Sequence, residues 1–277
     1  MNGGGASAAA SAGPDPESAG GTSRIAVRIA ERCRIGARPH NEDRLAVLQL
    51  GEHWCLVLSD GAGGHGEGGR AAQLVVERVL AGFRSRPPRD AADLAELLLD
   101  AHDAVVAAQR QRPASGDAGG AMQATVVALL LDVSRGRALW GHVGDSRLYR
   151  WRAGRLDAVT RDDSVRQSLL DAAGVGASSA PGRLPGRNVL IAALGACEEA
   201  QPHVVEPVVL EAADAFLLCS DGWWDGLEPQ AMSAALSEAA TPGDWLDAMA
   251  VLIERRADPR QDNYSAIACW IGMVGEG

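Results

Sequence analysis

The chain contains no lysine, so all 26 of its basic residues are arginine. That absence excludes P-loop nucleoside triphosphatases, protein kinases and Schiff-base enzymes, each of which needs a lysine amine at the reacting centre. Its five cysteines, Cys33, Cys55, Cys197, Cys219 and Cys269, form no C-x-x-C pair, which argues against a zinc site or a disulfide framework. Cys55, Cys219 and Cys269 sit inside apolar runs and read as small core residues. There is no G-x-S-x-G elbow, no H-E-x-x-H helix and no EF-hand loop. No run reaches the roughly 18 apolar residues of a membrane span. A formal net charge of -10 makes duplex DNA or an anionic membrane a poor partner. Residues 1–22 lack any basic residue or apolar segment. They are expected to form a disordered tail and not a signal peptide. The chain is therefore expected to be cytoplasmic, with neither nucleic acid nor membrane as partner.

What is present is an ordinary globular composition, 47% hydrophobic over 277 residues, enough for one large domain with a real core. That domain is expected over residues 23–277. The runs "IAVRIAERC", "DRLAVLQL" and "HWCLVLSD" predict strands. Helical spacing of apolar residues follows in "RAAQLVVERVLAGF" and "AADLAELLLDAHDAVVAAQRQ", split by "RSRPPR". "MQATVVALLLDV", "RALWGHVG" and "SRLYRWRAG" then predict short strands joined by tight turns, which favours antiparallel pairing. Residues 160–195 are mixed in polarity and read as a partly irregular flap. Strands resume at "HVVEPVVL" and "AFLLCSDG", helices are expected around 228–238 and 243–257, and "YSAIACWI" closes the chain. The pattern predicts an α+β layered fold.

One form recurs. "CLVLSDGAGG" and "FLLCSDGWWD" are both apolar strands ending in Ser-Asp-Gly, which places Asp60 and Asp221 at strand mouths. Asp145 in "HVGDSRLY", Asp262 in "RQDNYSAI" and the pair Glu42-Asp43 in "GARPHNEDRLAV" stand at comparable junctions. Any one of these alone is an ordinary turn or cap residue. Together they would repel one another unless cations held them. Oxygen-only donors select Mg²⁺ or Mn²⁺ over zinc, and a glycine after the aspartate leaves its carbonyl accessible.

The set "RPHNED", "LSDGAGGHGEGG", "GHVGDSRLYRW", "LLCSDGWWD" and "QDNYSAIA", in that order over residues 24–272, resembles the bacterial form of the metal-dependent serine/threonine protein phosphatases of type 2C. The resemblance implies a four-layer fold, a β-sandwich of two antiparallel sheets flanked by helices, with a dinuclear Mn²⁺ or Mg²⁺ centre at one end. It also implies hydrolysis of phosphoserine and phosphothreonine in proteins, often opposite a serine/threonine kinase. By position, Asp60 would bridge both metals and the Gly61 carbonyl would bind one. Asp221 and Asp262 would hold the other, and Glu42 and Asp43 would bind directly or through water. Asp145 with Asp221 would hold a third, weaker metal, and Arg38 would grip the substrate phosphate. Paired cations activate water for in-line attack, so no nucleophilic side chain is required.

The chain departs from the family pattern in places. Ala62 follows the first Asp-Gly where many eukaryotic relatives have a histidine. His65 is open to two readings, a loop-ordering residue or an acid. Asp163 stands in the flap where relatives often show histidine. Trp223 and Trp224 read as packing. A phosphatase of small molecules or nucleotides, or an inactive phosphoprotein-binding relative, are the competing readings.

Overall fold

A computed structural model of the chain describes residues 24–63, 66–111, 122–163, 192–196 and 199–274. The expected tail, His65 and most of the expected flap lie outside the described residues.

The first three strands are β1 (Arg24–Arg34), β2 (Arg44–Leu50) and β3 (His53–Ser59), followed by the two-residue β4 (Gly61–Ala62). Helices α1 (Glu67–Ser85) and α2 (Ala91–Arg110) come next. The Asp90 side chain starts α2 by accepting a hydrogen bond from the Asp93 N–H at 2.9 Å. The chain then forms β5 (Gln123–Ala124), β6 (Val126–Asp132), β7 (Arg137–Val143), β8 (Arg147–Arg152) and β9 (Arg155–Val159). Later in the chain lie β10 (His203–Val204), β11 (Val208–Val209) and β12 (Ala215–Cys219). A single turn, α3 (Asp221–Trp224), precedes α4 (Pro229–Glu238), α5 (Pro242–Arg255) and β13 (Tyr264–Val274).

Among the described residues two large antiparallel sheets result, with a small antiparallel pair of β4 and β5 beside them. One runs β1-β13-β12-β8-β9; the other runs β10-β7-β6-β3-β2, with β11 also on β7. Because successive side chains point to opposite faces, each central strand serves two cores. Leu56 and Leu58 of β3 join Leu129, Phe216, Leu218 and Ile267 between the sheets. Cys55 and Val57, one residue out of phase, pack under Val75, Val79, Leu94 and Leu98 of α1 and α2. On the other side Leu217 and Cys219 lie under Met232, Trp245, Met249 and Ile253 of α4 and α5. Burial on both faces explains why these strands read as unbroken apolar runs. The layers are therefore helix, sheet, sheet, helix, as expected, and Cys55, Cys219 and Cys269 are core residues with no exposed surface.

Two details differ from the sequence expectation. "HVVEPVVL" is two short strands, because Pro207 lacks the N–H that a continuous ladder on β7 would need. The strand β9 is additional: Ala153 (φ 49°) and Gly154 (φ 74°) form a tight left-handed turn that folds it back on β8.

Candidate active site

Strand register gathers the acidic positions at one end of the sandwich. Arg44 of β2 lies opposite Ser59 of β3, so Glu42-Asp43 enters where Asp60 leaves. Cys219 of β12 is opposite both Arg147 and Ala266. Asp221 after β12, Asp145 before β8 and Asp262 before β13 therefore share the same end. Arg34 opposite Tyr264 delivers the loop that carries Arg38. The result is an open cavity of about 720 Å³ whose walls include Arg38, Glu42, Asp60, Gly61, Asp145, Asp221 and Asp262. Asp43 is placed differently. It is buried behind the wall, where its Oδ2 accepts a hydrogen bond from the Ser220 hydroxyl at 2.8 Å.

Neighbours that the sequence reading did not single out fix these groups. The Thr125 hydroxyl accepts from the Asp60 N–H at 3.0 Å, and the Thr125 N–H donates to the Asp60 carbonyl at 2.8 Å. Ser146, next to Asp145, meets the same Thr125 hydroxyl at 2.7 Å, so one threonine ties the Asp60 and Asp145 loops together. Asn263 accepts from the Glu42 N–H at 2.8 Å and donates to the carbonyls of Ile35 and His40 at 2.8 and 3.0 Å. Its own N–H bonds Asp262 Oδ1 at 2.8 Å. The glycines of "DGAGGHGEGG" also find a use. Gly61 and Gly68 touch backbone to backbone, seating the first turn of α1 against the Asp60 loop with no room for a Cβ on either residue.

The carboxylates are held in a strained electrostatic state. Burial, together with repulsion from Asp43, Asp221, Asp145 and Asp262, lifts the Asp60 carboxyl well above its ordinary range. Burial and then Asp221 push Asp145 up to about 8. Burial and then Asp262 push Asp221 up to about 6, opposed by a hydrogen bond with Asp60. Asp43 rises to about 7 through burial, although the neighbouring Ser265 and Ser220 side chains pull the other way. A cluster of this kind lacks positive charge. Buried oxygens of Asp221 (Oδ1) and Asp43 (Oδ1) have no hydrogen-bond partner. Among the described residues no three acidic, histidine or cysteine groups form a ready-made ligand shell. Asp262 is taken by Arg38 at 2.5 Å. Hard oxygen donors, excess negative charge and orphaned buried oxygens nonetheless fit divalent cations such as Mn²⁺ or Mg²⁺.

A further group sits behind Asp145. The Arg147 guanidinium makes paired bonds of 2.7 Å to Asp162, donates to the Tyr149 hydroxyl at 3.0 Å and stacks 3.6 Å over the Trp224 ring. Trp224 in turn donates its indole N–H to the Asp145 carbonyl at 2.9 Å. Trp223 is packing, fully buried in the outer core. Trp224 does more, linking the turn that carries Asp221 to the loop that carries Asp145. Asp163, in the expected flap, accepts from the Gly144 N–H at 2.9 Å and pairs with His203 at 2.8 Å. The sequence offers one signal for this clamp, an arginine two residues after Asp145.

A family model described as protein phosphatase 2C matches residues 31–260. The chain belongs to the protein phosphatase 2C family. Within the family it is 32% identical over 218 residues to the serine/threonine protein phosphatase PstP of Mycobacterium tuberculosis, covering 76% of this chain and 39% of that protein. The chain thus spans about two fifths of that relative's length. A crystal structure of the M. tuberculosis PstP matches with a TM-score of 0.75 and 29% identity, covering 89% of this chain and 99% of its own. A second structure, the PstP catalytic domain in complex with two manganese ions, matches with a TM-score of 0.70 and 27% identity over 90% of this chain and 99% of its own.

Proposed function

We propose that this chain hydrolyses phosphoserine and phosphothreonine in proteins with two tightly held divalent cations, Mn²⁺ or Mg²⁺, and opposes a bacterial serine/threonine kinase. The observation that carries the reading is the convergence of Glu42, Asp60, Asp145, Asp221 and Asp262 with Arg38 on one open cavity, in a chain of a phosphatase family. Asp60, the Gly61 carbonyl, Asp221 and Asp262 would hold the two tight cations, with Glu42 beside them. Asp145 with Asp221 would serve a third, weaker site, and Asp43 would act from behind the wall.

Bound there, the cations would supply a hydroxide nucleophile near neutral pH and neutralise charge on the transferring phosphoryl group. The work of the chain itself is placement. The Arg38 side chain is half exposed at the cavity rim and bonded to Asp262. Turning to a phosphoryl group exchanges one charge-assisted bond for another, and the planar fork can hold two oxygens at once. Thr125 is the one hydroxyl residue on the described cavity wall. Its oxygen is engaged by the Asp60 N–H and Ser146, so it orients Asp60 and is not offered as a nucleophile.

The test is turnover of a phosphoserine peptide and of para-nitrophenyl phosphate with Mn²⁺, alongside free nucleotides. Both activities should vanish with chelator, and in Asp60→Asn and Asp221→Asn variants that still melt cooperatively. Hydrolysis that survives chelation with metal content measured as zero would refute the mechanism. Faster turnover of nucleotides than of phosphopeptides would refute the substrate class.

A further inference from the structure

A second cleft, of about 560 Å³, backs onto the same wall. It shares Arg38, Asp221 and Asp262 with the main cavity, and Trp224, Asp225, Arg256, Asp258 and Arg260 also line it. The two arginines come from the segment between α5 and β13, and that segment is pinned at Gln261. The Gln261 side chain donates to the Gly222 carbonyl at 2.9 Å, and the Gln261 carbonyl accepts from the Ala37 N–H at 2.8 Å. Arg256 is anchored by one nitrogen on the Asp225 carbonyl at 2.8 Å. Arg260 is anchored by almost nothing. Its side chain is 90% exposed, and its nearest acidic contact is Asp258 at 3.8 Å.

Charge decides what such a cleft takes. Asp221 and Asp262 belong to its shared wall, where the cations of the main cavity would offset them. Asp258 accepts a hydrogen bond from the Arg260 N–H at 2.8 Å, and Asp225 is itself engaged. Beside these acids Arg256 and Arg260 bring guanidinium forks to the lining, and their geometry matches a carboxylate or a phosphate. A phosphorylated residue seated beside Arg38 would carry its flanking residues across the shared wall. An extended chain advances about 3.3 Å per residue, so side chains within about three residues of the phosphate are in range.

We infer that this second cleft binds an acidic side chain of the substrate, so that the protein prefers phosphoserine or phosphothreonine flanked by glutamate or aspartate. The inference rests on the reading of the main cavity as a phosphoprotein site. It adds a specificity determinant, Arg256 with Arg260, outside the metal-binding carboxylates.

The test compares kcat/KM for phosphoserine peptides of one length carrying alanine, glutamate or lysine within three residues on either side, with para-nitrophenyl phosphate as the flank-free control. The wild-type protein should favour a glutamate-flanked peptide over the alanine one by about fivefold, the scale of an exposed charge pair or two. The preference should shrink with added salt. R256A/R260A should treat the two peptides alike while keeping wild-type turnover of para-nitrophenyl phosphate. Arg260→Glu, at a side chain with no packing to lose, should turn the preference towards lysine flanks. A wild-type protein indifferent to glutamate at every position, or a double variant that keeps the preference, would overturn the inference. If the wild-type protein turns over neither the alanine peptide nor para-nitrophenyl phosphate, the phosphatase reading fails first and this one falls with it.

Discussion

Gly68→Ala separates positioning of the site from stability of the fold. A Cβ on Gly68 would stand 2.6 Å from the Gly61 carbonyl oxygen and 2.7 Å from its carbon, both rigid backbone atoms. Ordinary contact begins near 3.5 Å, so the first turn of α1 and the Asp60 loop would have to part by about 0.9 Å. Two effects on stability oppose each other. Alanine gains up to about 1 kcal/mol of helix propensity, while forcing an extra carbon into a packed contact costs about 1–3 kcal/mol. The net loss is about 0–2 kcal/mol, and each kcal/mol shifts Tm by only about 2–4 °C in a chain of this size. The effect on rate is larger, because a displacement near 1 Å at reacting groups costs about a hundredfold. The expected outcome is a Tm within a few degrees of wild type and kcat/KM on para-nitrophenyl phosphate lowered about a hundredfold. Gly154→Ala is the control. Its φ is +74° with nothing within 4 Å, so backbone strain of about 1–2 kcal/mol lowers Tm comparably and leaves the rate unchanged. Wild-type turnover in Gly68→Ala would refute the claim that the glycine contact sets the geometry of the site.

Four further outcomes are expected. Without cations, Asp145 (about 8) and Asp221 (about 6) keep protons that the unfolded chain releases near pH 4. The native state therefore binds more protons across that window, and stability of the metal-free protein should fall from pH 4 to 8 by about 1.4 kcal/mol per unit of raised pKa; denaturant melts in chelator showing greater stability at pH 8 than at pH 5 would contradict this. Arg147→Met leaves Asp162, whose side chain is only 8% exposed, buried without its cation; a loss of about 3 kcal/mol is expected, partly recovered by adding Asp162→Asn, and equal stability of the single and double variants would count against the clamp. Asp145→Ala should keep two tight Mn²⁺ sites in calorimetric titration while losing the weaker one, and loss of the tight sites would contradict its assignment. Thr125→Val removes the hydroxyl shared by the Asp60 N–H and Ser146; Mn²⁺ affinity should fall about tenfold, the low end for groups that orient ligands, and unchanged affinity would show that the hydroxyl does not hold Asp60.

Much of this architecture could be read from the sequence because each central strand is buried on both faces. Runs such as "HWCLVLSD" and "AFLLCSDG" are apolar throughout, and they end abruptly at Ser-Asp-Gly. The helices α1 and α2 announced themselves by spacing, split by "RSRPPR". What stayed hidden was either too short or too polar to carry a pattern. The strand β9 is mostly exposed, and its evidence is a turn at Ala153-Gly154 that any short loop could resemble. The turn α3 holds only four residues, Asp221–Trp224. The Arg147–Asp162–Trp224 clamp joins positions 15 and 77 residues apart in the chain, and beyond the arginine two residues after Asp145 nothing local in the sequence encodes that meeting.

The pair Glu42-Asp43 shows how a physical rule sharpens a motif. Read as a motif, two adjacent acids before β2 look like two ligands for one metal centre. Yet consecutive residues of an extended segment point to opposite sides. If Glu42 faces the cavity, Asp43 must face away from it, and that is how they lie: Glu42 is on the cavity wall, while Asp43 is 1% exposed behind it. There the Ser220 hydroxyl binds Asp43, and the same oxygen accepts from the Ser265 N–H at 3.0 Å. Ser220 immediately precedes Asp221, so Asp43 acts on the cavity through the strand end that presents Asp221. Its negative charge also helps to raise Asp60. An acid in that position would strengthen the hold on a cation without touching it, which gives the second carboxylate of the pair a use that direct coordination does not require.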